Sequence, residues 1–169
     1  LTAALVQEAI RPASAIQVQT SAVTIEQTHN GAGGRITPVT NMREIASVAK
    51  ARSLAVHLDG ARLWNACAAT NVAPRDYAAC ADTVMVALSK GLGCPVGSVL
   101  AGSVEHMQQA RVIRRRLGGA MRQVGVLAAA GLYALDHNMD RLDEDHVRAR
   151  RLAHLASTSP GLNVIEPET

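Results

Sequence analysis

TVMVALSKGLGCPVGSVLAG, residues 83–102, sets an apolar run, a glycine-rich turn and a second apolar run side by side. Thr83 to Leu88 (TVMVAL) is apolar on both faces and rich in valine, the pattern of a strand buried inside a sheet. Gly97 to Ala101 (GSVLA) reads as another strand. A parallel crossover takes about a dozen or more residues, and the turn between these runs is too short for one. Gly97 to Ala101 is therefore expected to come back antiparallel against Thr83 to Leu88. The turn holds a single long polar side chain, Lys90, among three glycines and a proline. A loop with that much backbone freedom allows a ligand to approach the main chain closely.

Working upstream, Leu54 to Leu58 (LAVHL) and Ala22 to Glu26 (AVTIE) give two more strands. Helical segments separate them. Asn41 with Glu44 makes a capping-box start for a helix running to about Arg52. Ala61 to Ala69 is expected to be helical, and Pro74 can open a further short helix. Leu1 to Ile10 forms a short helix ended by Pro12. Strands that alternate with helices and are apolar on both faces predict an α/β fold: a mixed, mostly parallel sheet flanked by helices. Downstream of Ser103 the chain is expected to be helical. Val104 to Leu117 comes first, then a break at Gly118-Gly119, then Met121 to His137, and last an amphipathic helix from Asp140 to Ala156. In that last helix Leu142, Val147, Leu152 and Leu155 are set against many charges. Residues 1–138 are read as part of one large domain, and 139–169 as a connecting helix and the start of a second. Leu1 begins inside a helix without an initiator methionine, and Glu166 to Thr169 stop just past an apparent strand start. The expectation is a central piece, incomplete at both ends.

Composition narrows the function. The 169 residues are 48% hydrophobic, which is enough for a real core. There is no Phe, and the aromatics reduce to Trp64, Tyr77 and Tyr133, a poor set for stacking nucleic-acid bases. The net charge of +3 is concentrated in Arg111, Arg114, Arg115 and Arg116. A basic module that grips nucleic-acid phosphates is the rival reading this cluster raises. Cys67, Cys80 and Cys94 lack metal-ligand spacing and read as reduced, packed thiols of a cytoplasmic protein. No run is long enough for a membrane span, and no signal peptide opens the chain.

Ligands of open α/β sheets bind beyond the carboxyl ends of the parallel strands. His29 follows the first strand there, Asp59 and Arg62 the second, and Lys90 the third. A lysine can form a Schiff base with an aldehyde, and a carboxylate can keep a pyridine nitrogen protonated. These are the two anchors that pyridoxal phosphate needs. Arg62 adds a planar fork that matches an α-carboxylate. Together they form an amino-acid-processing set.

Four blocks in order, EQTHNG (26–31), HLDGARLWNA (57–66), LSKGLGCPVGSVLAG (88–102) and LGGAMRQVGVLAAAGLYAL (117–135), resemble the low-specificity L-threonine aldolases. These are pyridoxal-phosphate enzymes of the aspartate-aminotransferase fold type (fold type I), so the resemblance implies the core of that fold's large domain. Further implications follow position by position. Lys90 would carry the cofactor covalently and Asp59 would pair with its ring nitrogen. Arg62 would face the cofactor's phenolic oxygen and the substrate carboxylate, and His29 would sit near the substrate's β-hydroxyl. Arg122, and Arg115 in a position where the family often has lysine, would reach the cofactor phosphate of a neighbouring subunit. The family is typically a homotetramer built from dimers. It cleaves L-threonine or L-allo-threonine to glycine and acetaldehyde, so the implied partner is a small β-hydroxy-α-amino acid. Ala120 departs from the family pattern, standing where a third glycine is usual. Phenylserine aldolase, a β-eliminating lyase and an amino-acid racemase share the scaffold and stay open as alternatives.

Overall fold

The computed structural model describes all of residues 1–169. Four strands form one sheet in the order β1 (Ala22–Glu26), β2 (Ala55–Gly60), β3 (Thr83–Ala87) and β4 (Ser98–Gly102). The first three run parallel, and β4 returns antiparallel to β3, as its short connection requires. The expected mixed, mostly parallel sheet flanked by helices is therefore what forms. The helices are α1 (Ala3–Ala9), α2 (Val39–Ala51), α3 (Leu63–Thr70), α4 (Pro74–Ala78), α5 (Val104–Arg116), α6 (Gly125–His137) and α7 (Leu142–Ser157).

Alternation along the strands gives the sheet two unlike faces. Ile25, Val56, Leu58 and Val84 point to one side and are buried against Met42, Ile45 and Ala49 of α2, Leu63 and Ala66 of α3, and Tyr77 of α4. Each of these larger side chains contributes about 1.5–3 kcal/mol by leaving water. The register places Thr24, Glu26, His57, Asp59, Thr83 and Met85 on the other, more polar side. Cys67, Cys80 and Cys94 are free and buried, and burial pushes the Cys67 thiol up to about 11, so it packs as an inert group. Apolar side chains on β4, α5 and α6, among them Val99, Leu100, Ile113, Val126 and Leu132, lie exposed.

Several boundaries differ from expectation for identifiable reasons. Helix α2 starts at Val39, directly after Pro38, so Asn41 is not its cap. Both polar groups of the Gln27 side chain bind the Thr37 backbone, N–H to Oε1 at 2.9 Å and Nε2 to the carbonyl at 3.0 Å. Those bonds fix the chain just before Pro38, and the helix begins where they end. Asp59 and Gly60 belong to β2 itself, because they pair with Glu26 on one side and with Met85 and Val86 on the other. The stretch 118–124 is not helical: Gly118 and Gln123 adopt positive φ of 76° and 54°, and α6 starts only at Gly125. In α7 only Leu142 and His146 are buried, while Val147, Leu152 and Leu155 are exposed. Residues 158–169 contain no strand. Their end is held by Glu168, which binds Arg35 at 2.8 Å and accepts the Ile36 N–H at 2.7 Å.

Helix α7 packs on α3 through Leu142 and His146. Asn65 Nδ2 lies 3.2 Å from His146 Nε2. Burial lowers the His146 pKa below its ordinary 6.5, and the Asp143 carboxylate offsets this in part. The unfolded chain therefore binds a proton here more readily than the folded one. This group leaves stability unchanged above about pH 6.5, and stability falls as pH drops from there through the folded pKa. Denaturant titrations of wild type and His146→Gln should show the acid-side loss shrinking in the variant.

Gly60 packs tightly against β3. A Cβ at this position would lie 2.5 Å from the Met85 carbonyl oxygen and 3.1 Å from Leu63 Cβ. Space, not backbone angle, requires glycine here. Gly60→Ala is expected to destabilise the fold by about 1–3 kcal/mol in urea unfolding.

Candidate active site

The carboxyl ends of β1, β2 and β3 lie in a row, because Glu26, Asp59 and Met85 are register partners across the three strands. Asp59 is fixed at both levels of its structure. Its carbonyl accepts the Gln27 N–H at 2.8 Å, and its Oδ1 accepts the Ala61 N–H at 3.1 Å. Its second carboxylate oxygen takes no hydrogen bond within the protein, so a ligand donor has an acceptor waiting.

Beyond β1 the chain makes a tight loop closed by a bridge between His29 and Arg35. His29 caps the short 3-10 turn Asn30–Ala32 by accepting the Ala32 N–H on Nδ1 at 2.9 Å. In the neutral ring that contact assigns the proton to Nε2. Nε2 sits 3.9 Å from Glu26 Oε2. His29, Glu26, Thr24, Arg35 and Asp59 all line one cleft of about 800 Å³. The structure thus brings His29 and Asp59 together.

Arg62 begins the crossover from β2 and caps the start of α3, where its N–H donates to the Gln27 carbonyl at 3.0 Å. Its guanidinium forms no ion pair within the chain. It lines a second cleft, of about 330 Å³, with Thr28, Asn30, Asn65, Asp145 and His146. The two clefts share the loop 28–34 that carries His29.

Lys90 is exposed at the end of the third parallel strand and lines neither cleft. The turn after it is tightly made: the Gly93 N–H donates to the Lys90 carbonyl at 2.8 Å, and the Cys94 N–H to the Leu88 carbonyl at 3.0 Å. Gly93 and Gly97 take positive φ of 73° and 121°, which explains their being glycine. Arg115 lines neither strand-end cleft; it stands on exposed α5, where it lines a separate cleft with Arg111, Arg114, Arg116 and Ala120. Arg122 is exposed in the irregular segment before α6 and joins none of these clefts.

Sequence reasoning missed Asn65, Glu26 and His146. Asn65 lies inside the HLDGARLWNA block, one helical turn past Arg62, so its position held a usable signal. His146 sits in DEDHVRARR, which looks like a solvated face; only its burial reveals it.

The beta-eliminating lyase family matches residues 1–169. Low-specificity L-threonine aldolase 1 of Arabidopsis thaliana is 43% identical over 145 residues, covering 86% of this chain and 40% of that protein. The low specificity L-threonine aldolase of Escherichia coli (strain K12) is 38% identical over 160 residues, covering 95% of this chain and 47% of the relative. The chain therefore spans less than half the length of these curated relatives. Among solved structures, a putative L-allo-threonine aldolase from Listeria monocytogenes superposes with a TM-score of 0.83 at 25% identity. That superposition covers 92% of this chain and 44% of the other. With the match running over all 169 residues and the strand-end arrangement in place, the chain belongs to the beta-eliminating lyase family.

Proposed function

We propose that the protein to which this chain contributes is a pyridoxal-phosphate-dependent aldehyde-lyase. It would cleave threonine-type β-hydroxy-α-amino acids between Cα and Cβ, giving glycine and, from threonine, acetaldehyde. One observation carries the reading: Asp59 and His29 share a cleft at the ends of β1 and β2, and Lys90 stands at the end of β3.

The donor set fits the cofactor. Asp59 offers a carboxylate oxygen with no competing protein bond, suited to a protonated ring nitrogen. Lys90 offers an amine without an ion-pair partner on a turn of glycines, and Arg62 a guanidinium equally unpaired. Pyridoxal phosphate supplies an electron sink for the pair left on Cα when the Cα–Cβ bond breaks.

The chain's own residues do the rest. Lys90 is the attachment point. Asp59 holds the proton on the ring nitrogen, which keeps that sink effective. Arg62 orients the substrate α-carboxylate through its planar fork. His29 donates from Nε2, because Nδ1 is occupied by the Ala32 N–H, so it holds the β-oxygen as an acceptor and fixes its direction, while the hydroxyl proton that must leave as the aldehyde forms passes to water in the cleft. Arg115 and Arg122 would meet the cofactor phosphate of a neighbouring subunit in a cytoplasmic homotetramer. The exposed apolar side chains of β4, α5 and α6 support such an assembly. Residues 139–169 are assigned to the connection into a second domain, with 1–138 in the large one.

The family match favours one competing reading, β-elimination, which would release ammonia and a keto acid in place of glycine. Product analysis of the full-length protein with L-threonine, L-allo-threonine and phenylserine separates the two. Glycine and an aldehyde are expected; a keto acid without glycine would overturn the proposal. Asp59→Asn should lower kcat by about 100-fold or more, since each tenfold corresponds to about 1.4 kcal/mol of lost stabilisation. Arg62→Lys should raise KM about tenfold with a smaller change in kcat, because an ammonium cannot reproduce the fork.

A further inference from the structure

The turn that follows Lys90 is held from outside by two helices. A Cβ on Gly91 would lie 2.9 Å from Asn65 Oδ1 and 2.8 Å from Leu142 Cδ2, so the backbone next to Lys90 packs directly on α3 and α7. Asn138, at the end of α6, donates its side-chain N–H to the Leu92 carbonyl at 2.8 Å, and Leu92 itself is fully buried. Asn65 is therefore in contact with the lysine turn on one side. On its other side Nδ2 donates to His146 Nε2 at 3.2 Å. His146 is 3% exposed in a helix whose other polar residues face solvent, and it has no other hydrogen-bond partner than Asn65. Arg62 begins α3 one turn before Asn65, so the same side chain stands between both proposed cofactor contacts.

We infer that Asn65 and His146 are positioning residues for Lys90: a hydrogen-bonded pair, half-buried Asn65 and buried His146, that clamps the Gly91 turn between α3 and α7 and so sets where the lysine amine stands. The inference rests on reading Lys90 as the cofactor lysine. The pair works only while Nε2 of His146 is unprotonated, because an amide N–H needs a lone pair to receive it. In that state the Nδ1 proton faces Asp143, 3.7 Å away. The charged groups around His146 are Asp143, Asp145 and Arg150 on its own helix and Arg62 at the start of α3. Protonation sets two donors against each other and places a cation in the cleft that holds Arg62. Asn65 then loses the contact that orients it against Gly91.

Hydrogen exchange of the full-length, cofactor-free protein reads this directly, through the Gly93 and Cys94 amides that close the turn. Asn65→Ala should lower their protection factors about five- to tenfold, the effect of one lost partly buried hydrogen bond, with the Leu58 amide in the core unchanged. The affinity for pyridoxal phosphate should fall by a similar factor. Asn65→Asp supplies an acceptor for protonated His146. Wild type should therefore lose protection at these amides as pH falls, and Asn65→Asp should keep it, a reversal that no general loss of packing produces. Unchanged Gly93 and Cys94 protection in Asn65→Ala, or a loss spread evenly to Leu58, would overturn the clamp. A wild-type protein that shows these exchange effects but binds no pyridoxal phosphate would overturn the functional reading of Lys90 and leave the clamp standing.

Discussion

Gly60 lies so close to the Met85 carbonyl that a Cβ there would clash with it, and the placement of Asp59, Arg62 and Asn65 follows from that close pairing of β2 with β3. The close pairing carries β2 two residues beyond its apolar run, so that Asp59 is a strand residue and not part of a loop. A residue in a strand has its side chain direction set by the pleat. Asp59 therefore faces the polar side of the sheet in register with Glu26, and its carbonyl and one carboxylate oxygen are both spoken for. The chain then leaves through Ala61 and Arg62 straight into α3. That exit puts Arg62 and Asn65 on successive turns, beside the loop from β1 and the turn from β3.

A rigid carboxylate among polar loops is the arrangement that ligand chemistry at a strand end needs. Each loop is also tied to something beyond itself. The His29 loop is bridged to Arg35, and Arg35 is gripped by Glu168 from the far end of the chain. The Lys90 turn rests on Asn65, Leu142 and Asn138. Segments distant in sequence thus hold the two loops that flank Asp59, and neither loop depends on its local turn chemistry alone.

The sheet was largely legible in the sequence. Strand positions, the parallel order and the antiparallel return of Ser98–Gly102 follow from apolar runs and connection lengths, which are local properties. Helix starts were harder, because the start of α2 is set by Gln27 gripping Thr37 from another element. The α7 pattern misled for a related reason: of its spaced apolar residues only Leu142 finds a partner surface, and the buried face is completed by His146, which looked solvated. Of the candidate site, the convergence of His29 and Asp59 was readable from strand ends. The geometry around Lys90 was not, since Asn65 and Leu142 meet Gly91 only in three dimensions. Arg115 and Arg122 line neither of the two strand-end clefts, and the role proposed for them needs a second copy.

Lys90 is the amine proposed to take the cofactor, and this chain has only one other lysine, Lys50, on α2. Incubating the full-length protein with pyridoxal phosphate, reducing with borohydride and mapping the labelled peptide by mass spectrometry identifies that amine. A single pyridoxyl group on the peptide containing Lys90, blocked by prior substitution of that residue, is the predicted result. Labelling that persists elsewhere at the same stoichiometry when Lys90 is replaced, or no label at all, would contradict it.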